Sequence, residues 1–329
     1  FHFLKNRFQL DITYYNKLYY NLTRDASISD ASGFEYTLIN IDEEQLRKGV
    51  EITIGGNLLK KKDWEWDATF NWSLDRYYYS KVDPIYSTQK EWVKAGERWD
   101  WLGYYDWERD PQGNIIHEGG YPIQSKFQSV AGNEYPDWVF GFNNTLRYKN
   151  FTLGFTLDGR IGGVAHSVMD QALWMTGAHI DSDSPWRYDE VVNGKKNYVG
   201  QGVMVVSGSV DRDSNGNIIR DNRVFAPNDK AVSYEGYMKL YNGAGNVWDA
   251  KHQHILDQTF IKLRELSLTY AVPSPFCKKI GLQGASVAFI GQNLFIWTKE
   301  FRFSDPDKSS ENLNSPSLRM LGCNLKINF

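Results

Sequence analysis

The sequence predicts an all-β fold and, within that class, a transmembrane antiparallel β-barrel. Three observations support the prediction: a period-two alternation of apolar and polar residues, connections that are alternately short and long, and many aromatic residues in a polar chain. Aromatic residues make up 15% of the 329 residues, while the mean hydropathy is -0.53. A membrane barrel has this composition because Trp and Tyr girdles lie at both lipid interfaces while the interior stays polar.

The alternation is clearest between residues 64 and 74. Successive side chains of a strand point to opposite faces, and here every second residue is apolar while the residues between them are polar or charged. A helix would not sort them in this way. Reading the same pattern along the chain predicts eight strands, near 8–20, 47–59, 64–80, 135–148, 151–163, 258–271, 285–298 and 316–329. Several are long enough to cross a bilayer, which takes about 9 to 11 residues of a tilted strand.

The connections between these strands fall into two classes. Residues 5–7, 60–63 and 149–150 form tight turns, whereas segments 21–46, 81–134 and 164–257 are long. Outer-membrane barrels have short turns on one rim and long loops on the other. A secreted β-sandwich or β-solenoid would also alternate, but it has no reason to segregate its loops so strictly.

Composition argues against several other classes. The formal net charge of -3, without a dense basic run, argues against a nucleic-acid partner. No stretch approaches the ~18 apolar residues of a membrane-spanning helix, so any crossing would use strands. Cys277 and Cys323 belong to no CxxC motif and have no His at ligand spacing. We interpret them as unpaired small apolar residues, and no cofactor is expected.

The last predicted strand has two faces of opposite character. A lysine and two asparagines on one face would be costly against lipid, so that face is expected to look into a wet lumen. A terminal Phe on such a strand resembles the signal that the barrel assembly machinery reads when it captures a strand edge by β-augmentation. The predicted assembly signal is the apolar face, which would also contact the lipid bilayer: Leu321, Cys323, Leu325, Ile327 and Phe329.

Two blocks of sequence resemble the SusC/RagA-like TonB-dependent transporters. They are residues 257–270 (DQTFIKLRELSLTY), followed by Val272 and Pro273, and residues 290–297 (IGQNLFIW). Shorter matches extend the resemblance over nearly the whole chain: residues 14–17 (YYNK), 48–51 (KGVE) and 148–151 (YKNF), and Pro136 and Asp137 with Gly141 and Asn144.

The resemblance implies that residues 1–329 are the C-terminal part of a barrel of about 22 strands and supply about eight of them. The plug domain, the region that contacts TonB and the earlier strands would lie outside this chain. So would a signal sequence, because the chain begins at Phe1 without an initiator Met. It also implies TonB-dependent import of oligosaccharides or oligopeptides across the outer membrane of a Gram-negative, Bacteroidetes-like bacterium. A SusD-like surface lipoprotein would be the partner.

An aromatic segment in the second long loop is the predicted contact region for a ligand or partner. Its aromatic side chains are interleaved with charged ones, and aromatic faces stack on sugar rings or peptide side chains. Tyr and Trp also dominate protein interfaces. Ligand contact, lipoprotein contact and self-packing of the loop are therefore all open for six residues: Trp92, Trp99, Trp101, Tyr104, Tyr105 and Trp107.

Neither a metal site nor a catalytic site is predicted. Asp211, Asp213, Asn215 and Gly216 fit the first half of a calcium loop, but its twelfth position is Asn222 instead of a bidentate Glu. An Asx-rich turn is the better interpretation. The sequence contains no HExxH motif and no recognisable nucleophile elbow, so an enzyme is not expected.

Two functions of other classes compete with transport. A secreted carbohydrate-binding or adhesive β-protein would also display aromatic residues, and an outer-membrane enzyme would carry its active site in the loops. The sequence upstream distinguishes the first of these, because a plug domain there would favour the importer.

Overall fold

The computed structural model describes residues 1–243, 251–307 and 317–329. Its main feature is a nine-stranded antiparallel sheet in which each strand pairs with its neighbours along the chain. The strands are β1 (His2–Phe3), β2 (Phe8–Tyr19), β3 (Glu44–Lys60), β4 (Trp64–Lys81), β5 (Trp138–Tyr148), β6 (Phe151–Ile161), β7 (Phe260–Ala271), β8 (Gly284–Thr298) and β9 (Met320–Asn328).

All eight predicted strands are confirmed as β2 to β9, with ends that differ from the prediction by a few residues. The largest difference is at β9, which begins at Met320, while the predicted start at residue 316 lies outside the described residues. The short strand β1 was not predicted.

One face of the sheet is apolar from strand to strand. The register places Ile54 opposite both Leu10 and Phe70, and Phe70 opposite Phe142, so apolar residues form continuous rows across the sheet. These side chains do not enter a core: Phe70 is 37% exposed and Leu325 is 63% exposed. Contiguous apolar surface of this kind needs an apolar surrounding.

The opposite face is polar. The hydroxyl of Thr53 donates a hydrogen bond to the side-chain oxygen of Asn71 at 2.9 Å. Further along the same face, the Arg264 guanidinium pairs with the Asp158 carboxylate at 2.6 Å. The two faces of the sheet therefore suit two different solvents, as the alternation predicted.

The short connections all lie at one end of the sheet. Three are the tight turns at residues 4–7, 61–63 and 149–150, and the fourth contains a short helix, Ser274–Lys279, between β7 and β8. A row of aromatic side chains crosses the apolar face at this end: Trp64 packs on Tyr148 with ring centroids 4.3 Å apart, and Phe151 packs on Tyr270 at 4.8 Å. Such a row is typical of the girdle at a lipid–water interface.

The long connections leave the other end of the sheet, at residues 20–43, 82–137, 162–259 and 299–319. The third contains helices α1 (Val168–Thr176), α2 (Pro185–Asn193) and α3 (Tyr234–Tyr241). Among the residues that the structure describes, the long loops also contain twelve short strands: Leu22–Ser27, Tyr36–Ile41, Trp101–Trp107, Ile116–Glu118, Tyr121–Pro122, Gln124–Asn133, Val164–His166, Val203–Ser207, Val210–Arg212, Ile218–Asp221, Val224–Pro227 and Ile255–Asp257. They also contain 3-10 turns at Asp30–Ser32, Ile180–Ser182 and His252–His254. No helix in the described part of the chain is long and apolar enough to cross a membrane.

The three loop helices begin at serine caps. The hydroxyls of Ser167, Ser184 and Ser233 each accept a hydrogen bond from a backbone N–H of the first helical turn. These N–H groups have no carbonyl partner within the helix, so the serine provides one. These helices were not predicted from the sequence, although the three serines are the signal that marks their starts.

The buried apolar side chains lie mainly in the long loops. Trp107, Ile116, Val168 and Tyr237 are among the most buried residues of the described chain. The loops thus have a core of their own, whereas the sheet keeps its apolar face exposed. This arrangement differs from a soluble β-sandwich, whose core lies between its sheets.

Candidate functional site

The structure divides the six predicted aromatic residues into two groups. The first group packs against the polar face of the sheet, where the Trp101 Nε1 donates a hydrogen bond to the Tyr79 hydroxyl at 3.2 Å. Trp99 lies over Tyr77 with ring centroids 6.3 Å apart, and the rings of Trp92 and Trp101 meet edge to face at 5.5 Å. These three tryptophans therefore lie above the polar face of the nine-stranded sheet, which we call the wall.

A cavity of about 600 Å³ opens beside the first group. Trp99 and Trp101 line it together with Asp100, Glu43 and other residues. The Asp100 carboxylate is held by two hydrogen bonds of 2.6 Å from the Arg98 guanidinium, so its charge is already compensated. The cavity offers aromatic faces and hydrogen-bond acceptors, which suits a ligand with hydroxyl or amide groups.

The second group contains the two buried members of the set. Trp107 stacks on Tyr241 of α3 with centroids 5.6 Å apart, and the Tyr104 ring lies 5.2 Å from that of His252. These contacts bind the strand Trp101–Trp107 to the helical part of the loops, and they amount to self-packing. Tyr105 is exposed between them. The six residues are therefore not one surface, and ligand contact stays a prediction for the exposed members.

The calcium-like segment forms a tight turn. Oδ1 of Asp213 accepts hydrogen bonds of 2.9 Å from the backbone N–H groups of Asn215 and Asn217. The side-chain amide of Asn217 donates to the other carboxylate oxygen at 3.0 Å, and this bond together with the backbone bonds holds the pKa of Asp213 below its usual value. The carboxylate is thus used within its own turn.

The same turn occurs twice, a repeat that the sequence analysis missed. Residues 109–115 and 212–218 both read Arg-Asp-x-x-Gly-Asn-Ile. In each copy the arginine donates to the carbonyl of the glycine, at 3.0 Å for Gly113 and 2.7 Å for Gly216. Both glycines have φ near +90°, a conformation that only glycine adopts at little cost. The repeat is a structural device for reversing the chain.

The predicted assembly signal lies on an edge strand. Leu321, Cys323, Leu325 and Ile327 are all exposed on β9, and Phe329 follows the strand. Cys323 pairs with Phe289 of β8, whereas Cys277 is buried in the short helix between β7 and β8, so the two thiols are free. The exposed apolar face agrees with lipid contact, and recognition by the assembly machinery stays a prediction.

A hydrogen-bonded pair of side chains, Trp66 and Asn144, interrupts the apolar face, and we call this pair the polar clasp. Asn144 is on this face but buried, and the Trp66 Nε1 donates a hydrogen bond to its side-chain oxygen at 2.7 Å. Its Nδ2 has no partner among the described residues. The indole thus satisfies the amide oxygen and shields it. In the sequence, Asn144 stands out only as part of the family resemblance, because a lone asparagine breaks the alternation without indicating why.

An ion cluster ties the last long loop to the polar face of the wall. Lys262 of β7 is almost completely buried, and its ammonium lies 2.6 Å from Asp305 and 3.2 Å from Asp307. Arg264 reaches Asp307 as well. Arg264 is the extra residue of a β-bulge, since its neighbours pair with consecutive residues of β6, and bulges re-aim side chains in this way. The cluster holds residues 305–307 over the polar face.

No model of a protein family matches the sequence. TonB-dependent receptors P3 and P26 of Formosa agariphila are 22% and 24% identical to the chain over 94% and 91% of its length. The chain spans only 30% and 29% of these two relatives.

Solved structures show the same fold. The RagAB peptide transporter, and the RagAB peptide importer in its closed-closed state, match 99% of the chain with TM-scores of 0.61 and 0.62 at 15% and 16% identity. The chain covers 34% of each, consistent with a C-terminal fragment of a larger barrel. Over most of its length the chain is thus similar to TonB-dependent receptors, and it has the fold of part of a transmembrane β-barrel of the SusC/RagA-like TonB-dependent transporters, as its sequence predicted.

Proposed function

We propose that the intact protein imports an oligosaccharide or an oligopeptide across the outer membrane, using energy passed to it by TonB. The observation that carries the proposal is the two-faced wall. Rows of apolar side chains stay exposed on one face of the sheet, and charged and amide side chains occupy the other. A wall of this kind separates hydrocarbon from a wet lumen.

The long loops would provide the surface for cargo and partner. They are folded units with their own core, and two of the aromatic residues predicted to bind, Trp99 and Tyr105, are exposed there. We propose that a SusD-like lipoprotein docks on this end of the barrel, in line with the family resemblance. TonB would act through parts of the protein that lie outside this chain.

The names of the similar proteins support transport over catalysis. The curated relatives are TonB-dependent receptors, and the solved neighbour is named a peptide transporter. We therefore propose no enzymatic role for the chain. A peptide cargo has the support of that neighbour's name, and the aromatic loops suit glycans equally well.

The test is uptake in the native host. Cells with the gene deleted, and cells lacking TonB, should both fail to accumulate fluorescently labelled cargo that wild-type cells import, and restoring the gene should restore uptake. Membrane fractionation gives the control for location: the protein should require detergent for extraction from the outer membrane. Recovery as a stable monomer from aqueous buffer, or from the culture medium, would instead favour a secreted carbohydrate-binding or adhesive protein.

A further inference from the structure

We propose that a cleft among the loop helices binds an uncharged oligosaccharide. The cleft has a volume of about 660 Å³ and lies where α1 and α3 meet the segment after α2, at the end of the sheet that holds the long loops. Its size falls within the range of about 300 to 1,000 Å³ typical of small-molecule sites. The identification of the bound sugar as the imported cargo rests on the function proposed above. Binding of the sugar to the cleft does not depend on that function.

Aromatic rings form much of the cleft wall. Trp186 of α2 meets Tyr198 edge to face with centroids 5.5 Å apart, and Tyr198 meets Tyr237 in the same way at 4.8 Å. Trp174 and Tyr241 also line the cleft. Trp186 is 46% exposed, so part of its ring is open to a ligand. Flat aromatic faces offer the C–H faces of sugar rings a large apolar contact.

The rings are held in place before any ligand arrives. Tyr237 is buried, and its hydroxyl donates to Nε2 of His117 at 3.0 Å, while Nδ1 of His117 donates to the carbonyl of Ile115 at 3.1 Å. The carbonyl can only accept, so Nδ1 carries the proton. Burial lowers the pKa of His117 and favours the neutral ring, in which Nε2 is the acceptor. A rigid site binds more tightly because less conformational entropy is lost on association.

Side-chain amides provide the polar part of the lining. Gln201 is exposed at the cleft, and Gln253 uses its amide nitrogen to donate to the backbone carbonyl of Tyr241 at 2.7 Å. The same nitrogen also donates to Oδ1 of Asn242 at 3.5 Å, so both of these bonds use the nitrogen and neither uses the side-chain oxygen. Asn242 also lines the cleft but is engaged with His254 at 2.8 Å. Amide groups both donate and accept, which matches the hydroxyl groups of a sugar.

Charge distinguishes a sugar from a peptide at this site. Within the described part of the chain, no Asp, Glu, Lys or Arg lines the cleft. The nearby carboxylate of Asp170 is engaged with Nδ1 of His254 at 2.7 Å. A zwitterionic peptide or an acidic glycan would bring charges that need compensation when they leave water. An uncharged oligosaccharide brings none, so the lining fits it better.

The experiment is isothermal titration calorimetry on the intact protein, purified in a detergent without a sugar headgroup so that the detergent does not compete. The probes are four neutral hexasaccharides (maltohexaose, cellohexaose, laminarihexaose and xylohexaose), an anionic alginate hexasaccharide, and a zwitterionic Gly-Ser hexapeptide. We expect at least one neutral hexasaccharide to bind and the other two classes not to bind at this site.

Variants on a single helix locate the binding. Trp186→Ala should weaken binding about tenfold, which corresponds to about 1.4 kcal/mol, and Trp186→Phe should retain much of it. Tyr188→Ala is the matched control, because Tyr188 is exposed on the same helix, α2, and does not line the cleft. It should change the affinity less than twofold. Circular dichroism and heat-modified migration on gels should show all three variants folded.

Three results would overturn the inference: no binding by any neutral hexasaccharide, preferential binding of the peptide or alginate probe, or equal affinities of wild type and Trp186→Ala. Binding needs no energy source, so it is independent of TonB. Failure of binding with uptake intact removes only the cleft assignment, whereas intact binding without uptake removes the import proposal.

Discussion

Phe70 gives the sharpest test of the two-faced wall. Its ring lies on the apolar face in a row with Ile54 and Phe142. We expect Phe70→Lys to destabilise the protein strongly in a bilayer, because the ammonium would face hydrocarbon. Thr69→Lys is the control: it adds the same charge to the same strand one residue away, on the polar face.

The size of the effect follows from the depth of Phe70. It lies six residues beyond Trp64 of the aromatic row, which is about 20 Å along the strand at about 3.3 Å per residue. With a strand tilt of about 40°, this becomes about 15 Å along the membrane normal, close to the middle of an apolar band about 25 Å tall. A lysine at the midplane costs about 2 to 4 kcal/mol, or a factor of about 30 to 700 in the folding equilibrium.

The assay is urea unfolding of the intact protein reconstituted in phospholipid vesicles, followed by tryptophan fluorescence. Thr69 is half-buried on the polar face, where the added ammonium can stay hydrated, so Thr69→Lys should shift the free energy of unfolding by about 0.5 kcal/mol or less, as substitutions outside a core usually do. If the two lysine variants had equal free energies of unfolding, or if Thr69→Lys were the less stable of the two, the assignment of the two faces would be wrong.

Three further predictions follow from single contacts. Trp66→Phe removes the donor to the buried Asn144 amide and should lower the free energy of unfolding by about 1 to 3 kcal/mol in the same urea assay; unchanged unfolding would show that the clasp contributes nothing. Burial lowers the pKa of His117, so the neutral ring that accepts from Tyr237 is fully present above about pH 6.5 and its contribution is lost as the pH falls through the lowered pKa. The protection of residues 116–118 from hydrogen–deuterium exchange, corrected for the intrinsic exchange rate at each pH, should therefore fall in acid, and this loss of protection should be absent in His117→Phe. Lys262→Met leaves the buried Asp305 carboxylate without its cation, whereas Asp307 keeps Arg264, at a cost of about 3 to 5 kcal/mol, and protease should cut residues 299–307 faster than in the wild type.

The wall was predictable from the sequence because its signal is local. Alternation between Trp64 and Leu74 depends only on the pleat of one strand and on the two solvents beside it. Where a bulge interrupts the pleat, the alternation is lost. The bulge at Arg264 changes which residues of β7 face each side of the sheet, and the composition of that segment does not predict the bulge.

The binding residues of the loops were harder to predict from the sequence. Trp99 and Trp107 belong to one aromatic run, yet one is exposed and the other is buried against α3. Which of them is free to bind depends on contacts with residues more than 100 positions away, such as Tyr241. The cleft around Trp186 is made by segments that are far apart in the chain, so no single motif could mark it.

The consecutive pairing of β2 to β9 has an evolutionary consequence. Each strand of the wall pairs with the strand of the wall that comes before or after it in the chain. An insertion or replacement in one long connection therefore leaves the register of every strand pair intact. The long loops can therefore change one at a time while the strands of the sheet keep their pairing. Under the proposed import function, new cargo specificity could then evolve in the loops without any change to the strands that insert into the membrane.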